Sequence, residues 1–121
     1  MDPPDLSALP GYVRSVLEAA ARDATRALPH GWGDELVDPW EMTRDPWGLP
    51  AVAGLVVAGG PTLHMGTLVL AAPRWRLVRT TLGWAQLGRH LAEEEWDVLR
   101  VEDLLRDAEA CCAAMREELL R

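Results

Sequence analysis

The chain has no lysine, phenylalanine, isoleucine or asparagine, and only one tyrosine. These five amino acids share A/T-rich codons. Their joint scarcity points to a GC-rich, bacterial genome, and the missing lysine reflects mutation pressure before function. It also excludes a phosphate-binding loop: Gly59-Gly60 carries neither the lysine nor the Ser/Thr spacing such a loop needs and reads as a turn. The only serines are Ser7 and Ser15, and neither is flanked by the glycines of a nucleophile elbow. The two cysteines, Cys111 and Cys112, are adjacent, which suits neither a zinc spacing nor a disulfide within a helix.

Acidic residues are absent from one long stretch. Residues 46–92 hold four Arg and no Asp or Glu, while 1–45 carry nine acids against four Arg and 93–121 carry ten against four. The whole is acidic, at −7. That disfavours non-specific nucleic-acid and anionic-membrane binding, both driven by excess positive charge. The simplest use of the central Arg residues is pairing with acids on the flanking helices. Residues 47–73 form a 27-residue run without formal charge. Pro50, Gly59-Gly60-Pro61 and Pro73 divide it, so a buried β-hairpin is expected rather than a spanning helix of about 20 continuous apolar residues. Residues 1–5 lack the basic and apolar regions of a secretory signal, and a cytoplasmic location is expected.

At 121 residues the chain fits a single domain with its own core. Residues 1–9, rich in Pro and Asp, read as a loose N-terminal arm. A helix is expected from about Pro10 to Leu28 on the spacing of Val13, Leu17, Ala20 and Ala24, with Ala27 or Leu28 next, and stopped by Pro29 and Gly31. Residues 29–50 read as a Trp/Pro-rich connection pinned by Trp32, Trp40 and Trp47. Each Asp-Pro within it (Asp38-Pro39, Asp45-Pro46) marks a turn start. Ala51–Ala58 and Thr62–Ala71 are apolar runs of strand length, and Arg74–Thr81 is a third strand. In the first two runs both alternating sets are apolar, so both sheet faces should be covered, by helices on one side and the Trp segment on the other.

What is most conspicuously present is an apolar stripe. From Trp84 it passes through Leu87, Leu91, Val98, Val101, Leu105, Ala108, Cys112 and Met115 to Leu119 at helical spacing, broken only by Glu94. It reads either as one helix of 36 residues or, in better accord with usual helix lengths, as a helix from Trp84 to Glu95, a short strand at Asp97–Val101 and a helix from Glu102 to Leu120. The expected fold is thus α+β: a three-stranded antiparallel sheet, with a short fourth strand left open, flanked by an N-terminal helix and a C-terminal helical region, in the order α-β-β-β-α-(β)-α.

That order, with the phrase Glu95-Trp96-Asp97-Val98-Leu99-Arg100-Val101-Glu102-Asp103-Leu104, resembles the end of restriction-endonuclease-like nuclease domains. The resemblance implies acids on the central hairpin and a nearby lysine, and neither is present, so it implies a catalytically inactive relative. None of His30, His64 and His90 stands in a zinc spacing. His90 and Glu94 suit a helix ion pair better than a metal site. Cys111 and Cys112 suit packing, and Glu93-Glu94-Glu95 a solvated helix face.

The expected function is that of a non-enzymatic protein-interaction module, such as an adaptor, chaperone-like factor or regulatory subunit, acting as a homodimer or in a complex. It would use Trp40, Trp47, Val101, Leu105, Met115 and Leu119: Trp is among the residues most often found as interface anchors, and an apolar stripe that long must be covered by the chain's own sheet or by another chain. No cofactor or metal is called for. The alternatives are a nucleic-acid-associated protein using Arg74, Trp75, Arg76 and Arg79, with Arg on phosphates and Trp stacking on bases, and an enzyme assembled around His64 with an acid such as Asp34 or Glu35.

Overall fold

The computed structural model describes residues 5–26, 35–57, 62–92 and 98–121, the side chains of 98 and 99 excepted. The elements are helix α1 (Gly11–Arg26), strands β1 (Glu35–Arg44), β2 (Pro50–Val56), β3 (Thr62–Ala72), β4 (Leu77–Thr80) and β5 (Gly83–Leu87), and helix α2 (Val98–Leu119). The fold is α+β, an N-terminal helix, five strands and a C-terminal helix. The strands follow one another in chain order around a closed barrel. Four joins are antiparallel, and a short parallel pairing of Glu35–Val37 with Ala85–Leu87 closes the ring. Among the described residues no helix is long and apolar enough to cross a membrane.

One expected connection and the start of one expected helix are strands. Residues 35–44, read as connection, form β1, and its Asp-Pro sits at an irregularity rather than a turn. Between Val37↔Val56 and Trp40↔Gly54 the strand advances three residues while β2 advances two. A proline cannot donate to a ladder, and a bulge is where a strand tolerates one. Backbones crowd there: a Cβ on Gly54 would strike the Pro39 carbonyl and come within 2.5 Å of Val37 Cγ1. The second Asp-Pro is a turn as expected, with Asp45 Oδ1 accepting from the amides of Trp47 and Leu49 at 2.9 Å and Gly48 at φ +79. Trp84 opens no helix. Gly83–Leu87 is β5, joined to β4 by the tight turn at Thr81 and Leu82. The third expected strand starts later, at Leu77, after a 3-10 turn over Pro73–Trp75.

In the C-terminal region a single helix begins at Val98, where a strand was expected, so the strand of the nuclease resemblance is absent over Val98–Val101. Asp97 of that strand, with Glu95-Trp96 before it, lies outside the described residues, as do Trp32, His30, Asp34, Gly59-Gly60-Pro61 and Glu93-Glu94. The stripe holds from Val101 onward. Val101, Leu105, Ala108, Cys112, Met115 and Leu119 are all buried. The first four join the barrel interior (Val37, Trp40, Val52, Leu68, Val78, Leu87), and the last two meet α1 and Val69 in a second core. Leu6 is buried in that second core, so residues 5–9 form a docked turn and not a loose arm, with Ser7 bonded to Asp5 through its amide and its hydroxyl.

Strand β3 outruns its partner. It pairs with β2 only from Thr62 to Thr67, and an extra residue at Val69 shifts its register against β4. The bulge swaps the strand's facing: His64, Gly66 and Leu68 are buried before it and Ala71 faces the barrel core after it, while Val69 and Leu70 turn to the helices. The backbone groups left without β2 are taken by α2 side chains. Cys112 Sγ donates to Leu68 O (3.6 Å), Arg116 Nη1 donates to Val69 O (2.8 Å), and Glu109 Oε1 accepts from Ala71 N (3.0 Å). Arg116 and Glu109 also bond each other twice, at 2.8 and 2.9 Å. Glu109 thereby holds the guanidinium more firmly protonated than usual.

Arg116→Met keeps the aliphatic stem but strands Val69 O and the Glu109 carboxylate. It should destabilise the fold by about 2–3 kcal/mol in urea unfolding with an unchanged slope. A loss below about 0.5 kcal/mol would show that water serves the β3 edge equally well.

Candidate functional site

Three polar residues from three strands meet in the barrel. His64 is buried on the inward side of β3. Its Nδ1 lies 3.0 Å from Glu35 Oε2 at the start of β1, and its Nε2 lies 3.2 Å from Thr80 Oγ1 at the end of β4. With the proton on Nδ1 the ring donates to the carboxylate and accepts from the threonine hydroxyl, which itself accepts from Leu82 N at 3.1 Å. Gly66 makes room, since a Cβ there would lie 2.5 Å from Thr80 Oγ1 and 3.1 Å from His64 Nε2.

Hydroxyl, imidazole and carboxylate in this order are the parts of a nucleophilic triad. Their accessibility is inverted, however. Thr80, which would attack, is 0% exposed, while the Glu35 side chain, which would orient the ring, is 44% exposed. A substrate approaching from solvent meets the carboxylate first. The arrangement ties three strands together and satisfies a buried histidine. Of the two acids considered for His64, Glu35 is the one in contact, and Asp34 lies outside the described residues. No group of three or more His, Cys, Asp or Glu able to hold a metal occurs among the described residues.

The arginine strand is largely engaged by the fold. Arg79 Nε donates to Asp23 Oδ2 of α1 at 2.8 Å, and its Nη1 to the Thr80 carbonyl. Arg76 stands at φ +47 and donates to Gly88 O at 3.0 Å. Only Arg74 and Trp75 stay exposed together, the guanidinium 5.2 Å from the indole centroid. The Arg79 bond to Asp23 holds that carboxyl below the usual aspartate range. The cysteines are buried and free. Burial raises both thiols, and for Cys112 the charges of Glu109 and Cys111 add to the effect. Both are therefore poor nucleophiles.

Of the residues expected to meet a partner, Trp40, Val101, Leu105, Met115 and Leu119 are spent in the chain's own core. Trp40 donates through Nε1 to Gly88 O at 3.0 Å and stands edge-on to His90, with ring centroids 4.6 Å apart. A Trp–His pair and a self-buried stripe serve the fold first. Trp47 alone reaches the surface, on the β1–β2 turn.

The exposed apolar surface lies elsewhere. On the outer side of β1–β3, Leu36, Leu55, Val57, Leu63 and Met65 face solvent beside Leu91, with Leu63 at 65% and Met65 at 55% exposure. Leu55 pairs with Leu63 and Ala53 with Met65 across the ribbon. A groove of about 250 Å³ runs past Ala53, Gly54, Leu55, Leu63 and Leu91, with Glu41 as its one charged lining residue among those described. A second groove, of about 500 Å³, joins Met65 and Ala51 to Trp47. This side of the hairpin was expected to lie under the Trp segment. Instead residues 35–44 became a barrel strand, which left the outer β2–β3 face open. Its signal was already in the sequence as two apolar alternating sets, but alternation alone does not say which set a helix will cover.

No family model, curated protein or solved structure matches the chain.

The buried thiols should not react with a chromogenic disulfide at pH 8 in the folded state, and two should titrate after unfolding. A fast-reacting thiol in the native protein would contradict their burial. Asp23, with its folded pKa depressed, contributes stability that is present above its unfolded value of about 3.9 and is lost as pH falls through the lower folded value. Asp23→Asn should therefore narrow its deficit to wild type as pH drops below about 4 in acid unfolding curves, and a deficit that stays constant would remove the Arg79 linkage.

Proposed function

We propose that the chain is a non-enzymatic protein-interaction module of the bacterial cytoplasm, an adaptor, chaperone-like factor or regulatory subunit, and that it docks through the outer face of β1–β3. The supporting observation is that face itself: large, exposed apolar side chains in a stretch of sequence, residues 46–73, that holds no formal charge. An apolar patch at the upper end of what monomers expose is often a functional contact surface. The barrel is closed and α2 occupies the free edge of β3, so a partner is met through side chains rather than by adding a strand. Trp47 beside the second groove supplies an aromatic anchor.

A nucleic-acid role would have to work from Arg74 and Trp75, because Arg76 and Arg79 hold the fold. Catalysis at His64 would need Thr80 uncovered.

Paired capture tests the reading. Wild-type chain and the Leu63→Glu/Met65→Glu variant are immobilised at low density and exposed to lysate of the source cell. A protein retained only by wild type is then purified, remixed, and checked for protection of Met65 against oxidation. Selective retention with protection is the expected result. Equal retention by both chains, or a partner that leaves Met65 unprotected, would overturn the β1–β3 face as the docking surface.

A further inference from the structure

We infer that the occupant of the β1–β3 face is a second copy of this chain, related by a two-fold axis. The inference rests on the docking reading and adds the partner's identity.

Area supports it first. Leu36, Leu55, Val57, Leu63, Met65 and Leu91 are between 40% and 65% exposed. They present roughly 600 Å² per chain, so a two-fold contact would remove about 1,200 Å², within the range of specific interfaces.

Shape supports it next. An isologous contact needs projections and recesses on the same patch, because residue i of one copy meets j of the other and j meets i. Here Leu63 and Met65 project from β3, while Ala53 and Gly54 on β2, directly across the ribbon from Met65 and His64, form the floor of the groove. The side chain that fills the recess is therefore carried by the same surface.

Charge points the same way. Two chains of −7 repel wherever their acids face each other. The β2–β3 ribbon has no charged residue between Pro46 and Pro73, so among the described residues Glu41, opposite Ala53 on β1, is the groove acid that a contact of two copies would have to keep in solvent. A basic partner would find Glu41 as the one counter-charge along the groove among the described residues, which gives it little to select for.

The test is the solution mass of the purified 121-residue chain, by light scattering and sedimentation from micromolar to submillimolar concentration. Wild type should approach twice 13.3 kDa. Leu63→Glu/Met65→Glu should stay at the single mass, with at least a 100-fold weaker association and an unchanged far-UV spectrum. If that variant does not fold, Met65→Cys replaces it. As the native cysteines are buried, a short thiol–thiol cross-linker should then join two copies through position 65. A wild type that is monomeric throughout, a dimer that survives the double substitution, or a Met65→Cys chain that does not cross-link would each overturn the inference. A monomer that still captures a lysate protein through Met65 leaves the docking reading standing and makes the occupant another protein. A monomer that captures nothing removes both.

Discussion

The barrel can close only because α2 completes the part of its wall that β2 does not reach. Past Thr67, β3 has no neighbour on one side, and its amides and carbonyls there would otherwise face a helix without partners. Each buried, unsatisfied group of this kind costs about 1–3 kcal/mol. Cys112, Arg116 and Glu109, on successive turns of α2, meet Leu68 O, Val69 O and Ala71 N. The same helix turns its apolar side into the barrel and against α1. One element thus supplies both the polar satisfaction of a sheet edge and much of two cores. The rotation of α2 is over-determined, since its stripe and its edge-binding side chains must engage together.

Bulges give this small barrel its asymmetry. The extra residue near Asp38-Pro39 lets β1 bend so that the segment after β5 runs beside it, with Gly88 N bonded to Val37 O and Leu91 N to Trp40 O, both at 2.8 Å. The extra residue at Val69 moves the even-numbered set of β3, inward at His64, Gly66 and Leu68, to the helix side at Leu70, and brings the odd-numbered set inward at Ala71. A single strand therefore has an outer face that is covered at one end and bare at the other. The bare end carries Leu63 and Met65. The buried His64 and Thr80, with Glu35 at their solvent end, and the apolar face outside the barrel come from the same register, because His64 is flanked by those two outward residues. Function by docking and stability by a buried histidine are compatible on one strand because successive side chains point to opposite faces.

Elements whose signal is local could be read from the amino-acid order alone. The helical spacing of Val13, Leu17, Ala20 and Ala24 and of Val101 through Leu119, the β2–β3 hairpin, and the turn at Asp45-Pro46 were all legible, because periodicity and turn chemistry act within a few residues. Whatever depends on distant partners was settled by the folded arrangement. Asp38-Pro39 looks the same as Asp45-Pro46 in sequence, yet the first lies inside a strand because β2 and the segment after β5 hold it there. Trp84 and Leu87 match helical spacing equally well, yet pairing with β4 and β1 makes them strand. The contact of Glu35 with His64 spans 29 residues, and no spacing rule reaches that far. The sequence also determined that a long apolar stripe would need covering, whereas folding decided that α2 covers its stripe with the chain's own barrel and leaves Leu63 and Met65 bare. The physical reason is that hydrophobic burial is non-directional. It dictates how much apolar surface must leave water, and only the closed geometry of the barrel selects which surface remains.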